Sequence, residues 1–336
     1  MQPASEQQQG AYSRHCAYCL KGLPADSVYL CSACHRRAYC SRPCQKKDWP
    51  VHRGPGHKYW CKLGCGEEDL DWSVQHISAA KGLGIMAKRE LPRGFRIMVD
   101  AALTPWQAAR RPATAELQPT RGGLAENFNL NMLPHGASSS VLCLRISRVN
   151  HSCHGNVSHV SVEPFSVKVL MADVAIRAGE EVCLSYSPYL DPATAPISEA
   201  QHRALLLKSG IVCPPGCACR DPRLLQLVRE ARGLRARILQ LEASREYSTA
   251  LECVEQLLGM LAGVGMGQAA WAATLFDGFR VAVARRATLE QGLDYLAGAH
   301  EAAVACGGDG CARAAECRGL MADPRQHRNY LIGDAP

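Results

Sequence analysis

The sequence predicts an α+β protein in three parts: a cysteine-rich head that folds around metal, a β-rich middle and an α-helical C-terminal part. Three observations carry this. Cysteines fall in short-spaced pairs between Cys16 and Cys61, short apolar runs separated by glycines and charges fill Trp72 to about Leu190, and apolar residues recur at helical spacing after Cys219. A chain of 336 residues with 47% hydrophobic and 21% charged content has enough apolar material for two or three cored domains, which excludes disorder as the default.

Residues 1–13 are polar and Gln-rich, so they are expected to form a flexible leader and not a secretory signal. No stretch reaches the roughly 20 apolar residues that span a bilayer. The expected setting is therefore the cytoplasm and/or nucleus, with no membrane partner. In a reducing compartment eighteen cysteines argue for metal before disulfides, and zinc is the natural ion. Cys16-x-x-Cys19, Cys31-x-x-Cys34 and Cys40-x-x-x-Cys44, followed by His52, His57 and Cys61, supply eight ligands for two tetrahedral zinc ions. A C-x-x-C pair sets two thiolates on one turn, and repeating it lets distant segments converge on one ion. With almost no aliphatic core, the segment folds around metal or not at all.

The string Tyr39-Cys40-Ser41-x-x-Cys44-Gln45-x-x-x-Trp49, closing with His57-Lys58-x-x-Cys61, resembles the MYND finger, a protein-interaction module that binds proline-containing peptides. The resemblance implies interleaved sites: Cys16, Cys19, Cys40 and Cys44 on one zinc, and Cys31, Cys34, a histidine and Cys61 on the other. That histidine stays open between His52, which has the family spacing from Trp49, and His57, which has the spacing to Cys61. Gly56-His57-Lys58 directly before the last ligand favours His57. A structural cap on the next domain is an equal alternative role for the finger.

In the middle, Gly84 to Ala87, Phe95 to Val99, Val157 to Val162, Val167 to Met171 and Glu181 to Tyr186 read as short strands. Ala108 to Ser140, rich in Pro, Gly and Ser, reads as connecting structure with at most one short helix. Three strings occur in order: Lys81-Gly82-Leu83-Gly84-Ile85, Arg148-Val149-Asn150-His151-Ser152-Cys153, and Ala178-Gly179-Glu180-Glu181-Val182-Cys183-Leu184-Ser185-Tyr186. A Gly-x-Gly alone is weak. Together, over roughly Trp72 to Cys219, they resemble the SET domain of protein lysine methyltransferases, and with the finger the SET-and-MYND group.

The resemblance implies an S-adenosylmethionine-dependent protein lysine N-methyltransferase. Transfer from a sulfonium to a lysine amine is an in-line displacement, so catalysis is mostly alignment and exclusion of water. The acceptor amine must be neutral, which an apolar channel and the nearby sulfonium favour. By resemblance, Lys81, Gly82, Leu83 and Gly84 contact the cofactor through the main chain, where a β-carbon would collide. Asn150 and His151 bind its amino-acid and adenine parts, with Asn127 or Asn129 as a further contact. Tyr186 matches the tyrosine whose hydroxyl lies beside the transferring methyl group, a catalytic and cofactor-contacting position.

Cys213-x-x-x-Cys217-x-Cys219 looks like a post-SET cluster, completed by Cys153 into a third zinc site that closes one wall of the lysine channel. Four departures stand out. The cluster spacing is reversed from C-x-C-x-x-C, Ser209 replaces a channel-lining tyrosine, Gly155 replaces a proline, and the finger precedes the SET segment where many members insert it. Ser209 and Gly155 motivate a second reading, a catalytically weak scaffold that recruits proline-containing partners.

From Asp221 onward, Leu224, Leu225, Val228 and Ala231, then Leu251, Val254, Leu257, Leu258 and Leu261, read as a bundle of three to five helices. Cys306, Cys311 and Cys317, and likewise Cys65, Cys143, Cys183 and Cys253, read as core or surface thiols. Eleven thiolates against three Zn²⁺ bring the formal charge from +7 to about +2. With no basic recognition helix, direct nucleic-acid binding is not expected. The expected order is thus 1–13 leader, 14–62 finger, 72–190 SET domain, 191–220 post-SET segment and 221–336 helical domain.

Overall fold

The apolar runs after Trp72 become strands in the computed structural model, which describes residues 16–18, 23, 28–49, 57–61, 65–104, 132–135, 139–162, 167–192, 194–264, 268–307 and 311–334. The expected leader, Cys19, His52, Asn127 and Asn129 lie outside these residues. Contacts divide the chain into two units, 1–151 with 155–184, and 152–154 with 185–336.

In the first unit the finger comprises β1 (Tyr29–Leu30) paired with β2 (Ala38–Tyr39), α1 (Arg42–Asp48) and the single turn α2 (His57–Trp60). Ser41 caps α1 by accepting the Cys44 N–H at 3.3 Å, which fixes the turn that carries Cys44. Among the described residues, Cys16, Cys31, Ala38 and Tyr39 supply the buried apolar material here, too little to fold without metal. Arg37 donates to Asp48 at 2.7 Å, Tyr39 Oη donates to the same carboxylate at 2.7 Å, and Arg37 also lies 3.6 Å from Glu67. Arg36 pairs with Asp71, whose carboxylate further accepts from Arg89 Nε at 2.6 Å and the Glu67 N–H at 2.8 Å. These buried acids clamp the finger onto the segment leading into the sheet.

That sheet runs β3 (Trp72–Ser78), β4 (Gly82–Ala87), β11 (Glu181–Leu184), β9 (Val157–Val162), β10 (Val167–Ala172) and β5 (Arg96–Ala101), and the short β8 (Asn150–His151) lies parallel to β11. Trp72, Ile85, Ile97, Leu170 and Val182 form its core, with Trp72 Nε1 donating to the Ile97 carbonyl at 3.1 Å. Every residue of β10 is buried, including Lys168. Its amine donates to Ser161 Oγ at 2.8 Å and lies 3.3 Å from His159 Nδ1, and desolvation holds its pKa below the usual lysine value. The stretch expected to be connecting structure contains a hairpin instead, β6 (Met132–His135) with β7 (Ser139–Leu142). Its alternation is too short to read beside Pro134 and Gly136.

In the second unit, α3 (Glu199–Lys208) opens with a reciprocal Ser198–Gln201 capping box. Then follow α4 (Pro222–Ala243), α5 (Tyr247–Val264), α6 (Gln268–Ala282), α7 (Leu289–Gly307) and α8 (Ala312–Ala322). On α4, Leu224, Val228, Ala231, Ile238 and Leu241 are buried at helical spacing, and each larger side chain contributes up to about 1.5–3 kcal/mol. Phe279, Leu296 and Cys317 form a further core, and Cys311 caps α8 through its sulfur, which accepts the Ala314 N–H at 3.4 Å. No described helix is long and apolar enough to cross a membrane.

Candidate functional site

Three sets of metal-ligating side chains converge, each within 4.8 Å ligand to ligand. Cys31, Cys34, His57 and Cys61 form the first, with Cys34 Sγ 3.3 Å from His57 Nε2 and Cys31 Sγ 3.9 Å from Cys61 Sγ. Cys16, Cys40 and Cys44 form the second, with Cys40 and Cys44 sulfurs 3.5 Å apart. These are the interleaved sets the sequence suggested, with Cys19 outside the described residues. Burial, then the Arg37 charge, push His57 down to about 4, so the imidazole is neutral as a ligand must be. Burial, then Cys34, push the Cys61 thiol up to about 12. Converging thiols and an imidazole are a donor set that binds a soft dication as thiolates, and the S and N donors fit tetrahedral zinc.

The third set is Cys153, His202, Cys213 and Cys219. Cys153 Sγ lies 3.3 Å from Cys213 Sγ and 3.6 Å from His202 Nε2. Cys217 also reaches the cluster, with thiol hydrogen bonds to Cys153, Cys213 and Cys219. All four sequence-predicted thiols thus meet, but they are joined by His202, which the spacing did not flag.

In the first unit the Gly-x-Gly strand and Asn150 come together. Gly82 adopts the left-handed region at φ +67°, which bends the chain from Lys81 into β4. At Gly84 a β-carbon would lie 2.5 Å from Asn150 Nδ2 and 2.6 Å from Ile77 Cγ1. The close approach it permits is therefore that of a neighbouring side chain. Asn150 is 7% exposed, and its Nδ2 donates to the Leu83 carbonyl at 3.2 Å and to Glu181 Oε1 at 2.9 Å. The other Glu181 oxygen accepts from Lys81 Nζ at 2.5 Å, a hydrogen bond that raises the lysine pKa. Glu181, which sequence reading passed over, is thus the hub joining Lys81 to Asn150. His151 lies opposite Leu184 in the parallel β8–β11 pairing.

Asn156 fixes the strand beneath them. Its Oδ1 accepts the Cys183 N–H at 2.8 Å, and its Nδ2 donates to the Glu181 carbonyl at 2.9 Å and Glu180 Oε1 at 3.2 Å. A side chain so used substitutes for a ladder partner where β8 and β9 both abut β11.

In the second unit Tyr186 is 38% exposed on the turn after β11. Ser185 Oγ donates to the Ser187 carbonyl at 2.7 Å, and Ser187 Oγ accepts the Tyr189 N–H at 3.3 Å. Arg232 on α4 donates to the carbonyls of Pro188, Tyr189 and Asp191 at 3.2, 3.1 and 2.9 Å, bracing the same turn. Ser209 is the exposed C-cap of α3, ahead of Gly210 at φ +69°.

The described fold and its metal-ligand sets define a zinc-finger protein with a mixed β-sheet domain. Family models make that specific: a MYND finger matches residues 16–61 and a SET domain residues 82–187. The chain is a SET and MYND domain-containing protein. No curated protein matches it. Among solved structures, the methyltransferase domain of human histone-lysine N-methyltransferase SETMAR is similar at 20% identity and a TM-score of 0.27. The likeness covers 36% of this chain and 46% of that domain, and so carries no argument about activity.

Proposed function

We propose that the protein is an S-adenosylmethionine-dependent protein lysine N-methyltransferase with structural zinc. The observation that carries the reading is Asn150, wedged over Gly84 and tied to Leu83 and Glu181 inside the span matched by the SET domain. The Lys81–Glu181 pair offers both signs of charge beside exposed Leu83, which suits a zwitterionic amino-acid moiety. Lys81, Gly82, Leu83, Gly84, Asn150 and His151 would hold the cofactor, and Tyr186 would orient the acceptor amine and the reacting methyl group. The cofactor supplies an electrophilic methyl group on a sulfonium. Desolvation around the acceptor would keep the lysine nitrogen neutral, and Tyr186 would hold its lone pair in line with the methyl group that the bound cofactor would supply. Cys16, Cys19, Cys40 and Cys44, then Cys31, Cys34, His57 and Cys61, would each hold zinc, and the Cys153 cluster a third.

A second reading, a catalytically weak scaffold whose finger recruits proline-containing peptides, is favoured by the exposed Ser209 where the family has a channel tyrosine. Incubation of the full chain with methyl-labelled S-adenosylmethionine and cell lysate separates the two. The enzyme reading expects labelled protein bands that disappear in Asn150→Ala and Tyr186→Phe. Cofactor binding without labelling refutes it and leaves the scaffold.

A further inference from the structure

The Asn150 side-chain amide has a donating edge and an accepting edge, and what it offers a ligand depends on which edge is turned inward. Both of its partners, the Leu83 carbonyl and Glu181 Oε1, are acceptors, so the NH2 edge faces them. Asn150 Oδ1 is thereby turned outward, with no hydrogen-bond partner among the described residues. We infer that Glu181, beyond the charge it adds to the site, is a positioning residue: its carboxylate locks the Asn150 amide oxygen-outward and tethers Lys81. One acceptor and one cation are thus held ready for the ligand. The inference rests on the methyltransferase reading and deepens it.

The carboxylate serves its two partners with separate oxygens. Oε1 accepts from Asn150 Nδ2 at 2.9 Å, and Oε2 accepts from Lys81 Nζ at 2.5 Å. The Glu181 side chain is 16% exposed against 44% for Lys81, so it lies behind the group it presents. The strands put it there. Cys183 lies opposite Asn150 in the β8–β11 pairing, and Glu181, two residues earlier, shares that face of β11. Asn156 holds this stretch at both ends, accepting the Cys183 N–H and donating to the Glu181 carbonyl.

The amide has little freedom to turn over. A β-carbon on Gly84 would lie 2.5 Å from Asn150 Nδ2 and 3.0 Å from Glu181 Oε1, so amide and carboxylate both pack against bare backbone. Rotating the amide would set its oxygen against the Leu83 carbonyl and the Glu181 carboxylate, acceptor against acceptor. Glutamine at position 181 would have nearly the same shape but a single acceptor oxygen. It cannot serve Lys81 and Asn150 on separate oxygens, and its NH2 group would meet another donor.

The experiment compares the full-length wild type, Glu181→Gln, Asn150→Ala and the double variant. Side-chain amide hydrogen exchange of Asn150 reads the lock without any ligand, and calorimetric titration with S-adenosylmethionine reads its consequence. The inference expects Asn150 amide exchange at least about tenfold faster in Glu181→Gln, and affinity weakened at least about tenfold, the scale of one hydrogen bond to a charged group. Adding Glu181→Gln to Asn150→Ala should cost less than the single replacement does, because part of the effect passes through Asn150. A purely structural or independent role gives losses that multiply, and that result overturns the inference, as does unchanged amide exchange or wild-type affinity in Glu181→Gln. If Glu181→Gln fails to fold, the wild type decides. Asn150 amide protons protected about tenfold or more relative to an unstructured asparagine support the lock, and unprotected ones overturn it. A wild type that binds no S-adenosylmethionine refutes the methyltransferase reading and the role of Glu181 with it, a result distinct from wild-type binding that Glu181→Gln leaves intact.

Discussion

Replacing Gly84 by alanine tests whether the Asn150 cradle is built as described. The new methyl group would sit 2.5 Å from Asn150 Nδ2, 2.6 Å from Ile77 Cγ1 and 3.0 Å from Glu181 Oε1, all below contact distance. Gly84 is buried in β4, whose register with β3 and β11 resists a shift, so Asn150 is the group that yields. Displacing it forfeits one neutral hydrogen bond, about 1 kcal/mol, and one to a carboxylate, about 1.5–3 kcal/mol. The expected loss is therefore about 2–4 kcal/mol of stability. If Asn150 binds the cofactor, affinity falls on the order of 100-fold. Urea unfolding and calorimetric titration with S-adenosylmethionine measure the two. Wild-type affinity and an unchanged unfolding midpoint in Gly84→Ala would show that Asn150 is not seated as described.

Three further outcomes are expected. Asn156→Ala leaves the Cys183 N–H and the Glu181 carbonyl without their partner and should destabilise by about 2–4 kcal/mol in urea unfolding; a change under 0.5 kcal/mol contradicts the strand-clamp role. Gly233→Ala, in the interior of α4 with open space around it, should stabilise by about 0.5–1 kcal/mol, and a lower unfolding midpoint would show that the space is needed. His159 is pushed down to about 4 by burial, then by the Lys168 charge. A base with a depressed folded pKa binds protons in the unfolded state first, so its contribution is present above about pH 6.5 and lost as pH falls towards 4. The ceiling is about 3 kcal/mol. His159→Gln should therefore show a shallower fall in stability over that window than the wild type, and equal slopes would remove His159 from the account.

Much of the head and the β-rich middle was legible because their signals are local. Thiolates two or three residues apart share a turn, and the converging Cys31, Cys34, His57 and Cys61 follow from such spacings. Apolar runs such as Val167 to Met171 needed only their length and β-branched content to read as strands. Local pattern could not show that Lys168 lies wholly buried inside that run, since lysine in a strand normally marks a solvent face. Nor could it pair Lys81 with Glu181, because the β4–β11 register creates that contact across most of the sheet domain. His202 was missed for the same reason. It lies mid-helix with no ligand spacing, and only the return of α3 past Cys153 brings its ring to the cluster. Nor does local pattern show that Asn150 and Ile77 lie where a β-carbon on Gly84 would point.

The central claim is methyl transfer to lysine nitrogen, and the most direct measurement is amino-acid analysis of protein labelled by the full chain with methyl-labelled S-adenosylmethionine. The account predicts label in N-methylated lysine, lost in Asn150→Ala and strongly reduced in Tyr186→Phe. Label in another residue, or none despite measurable cofactor binding, would contradict it.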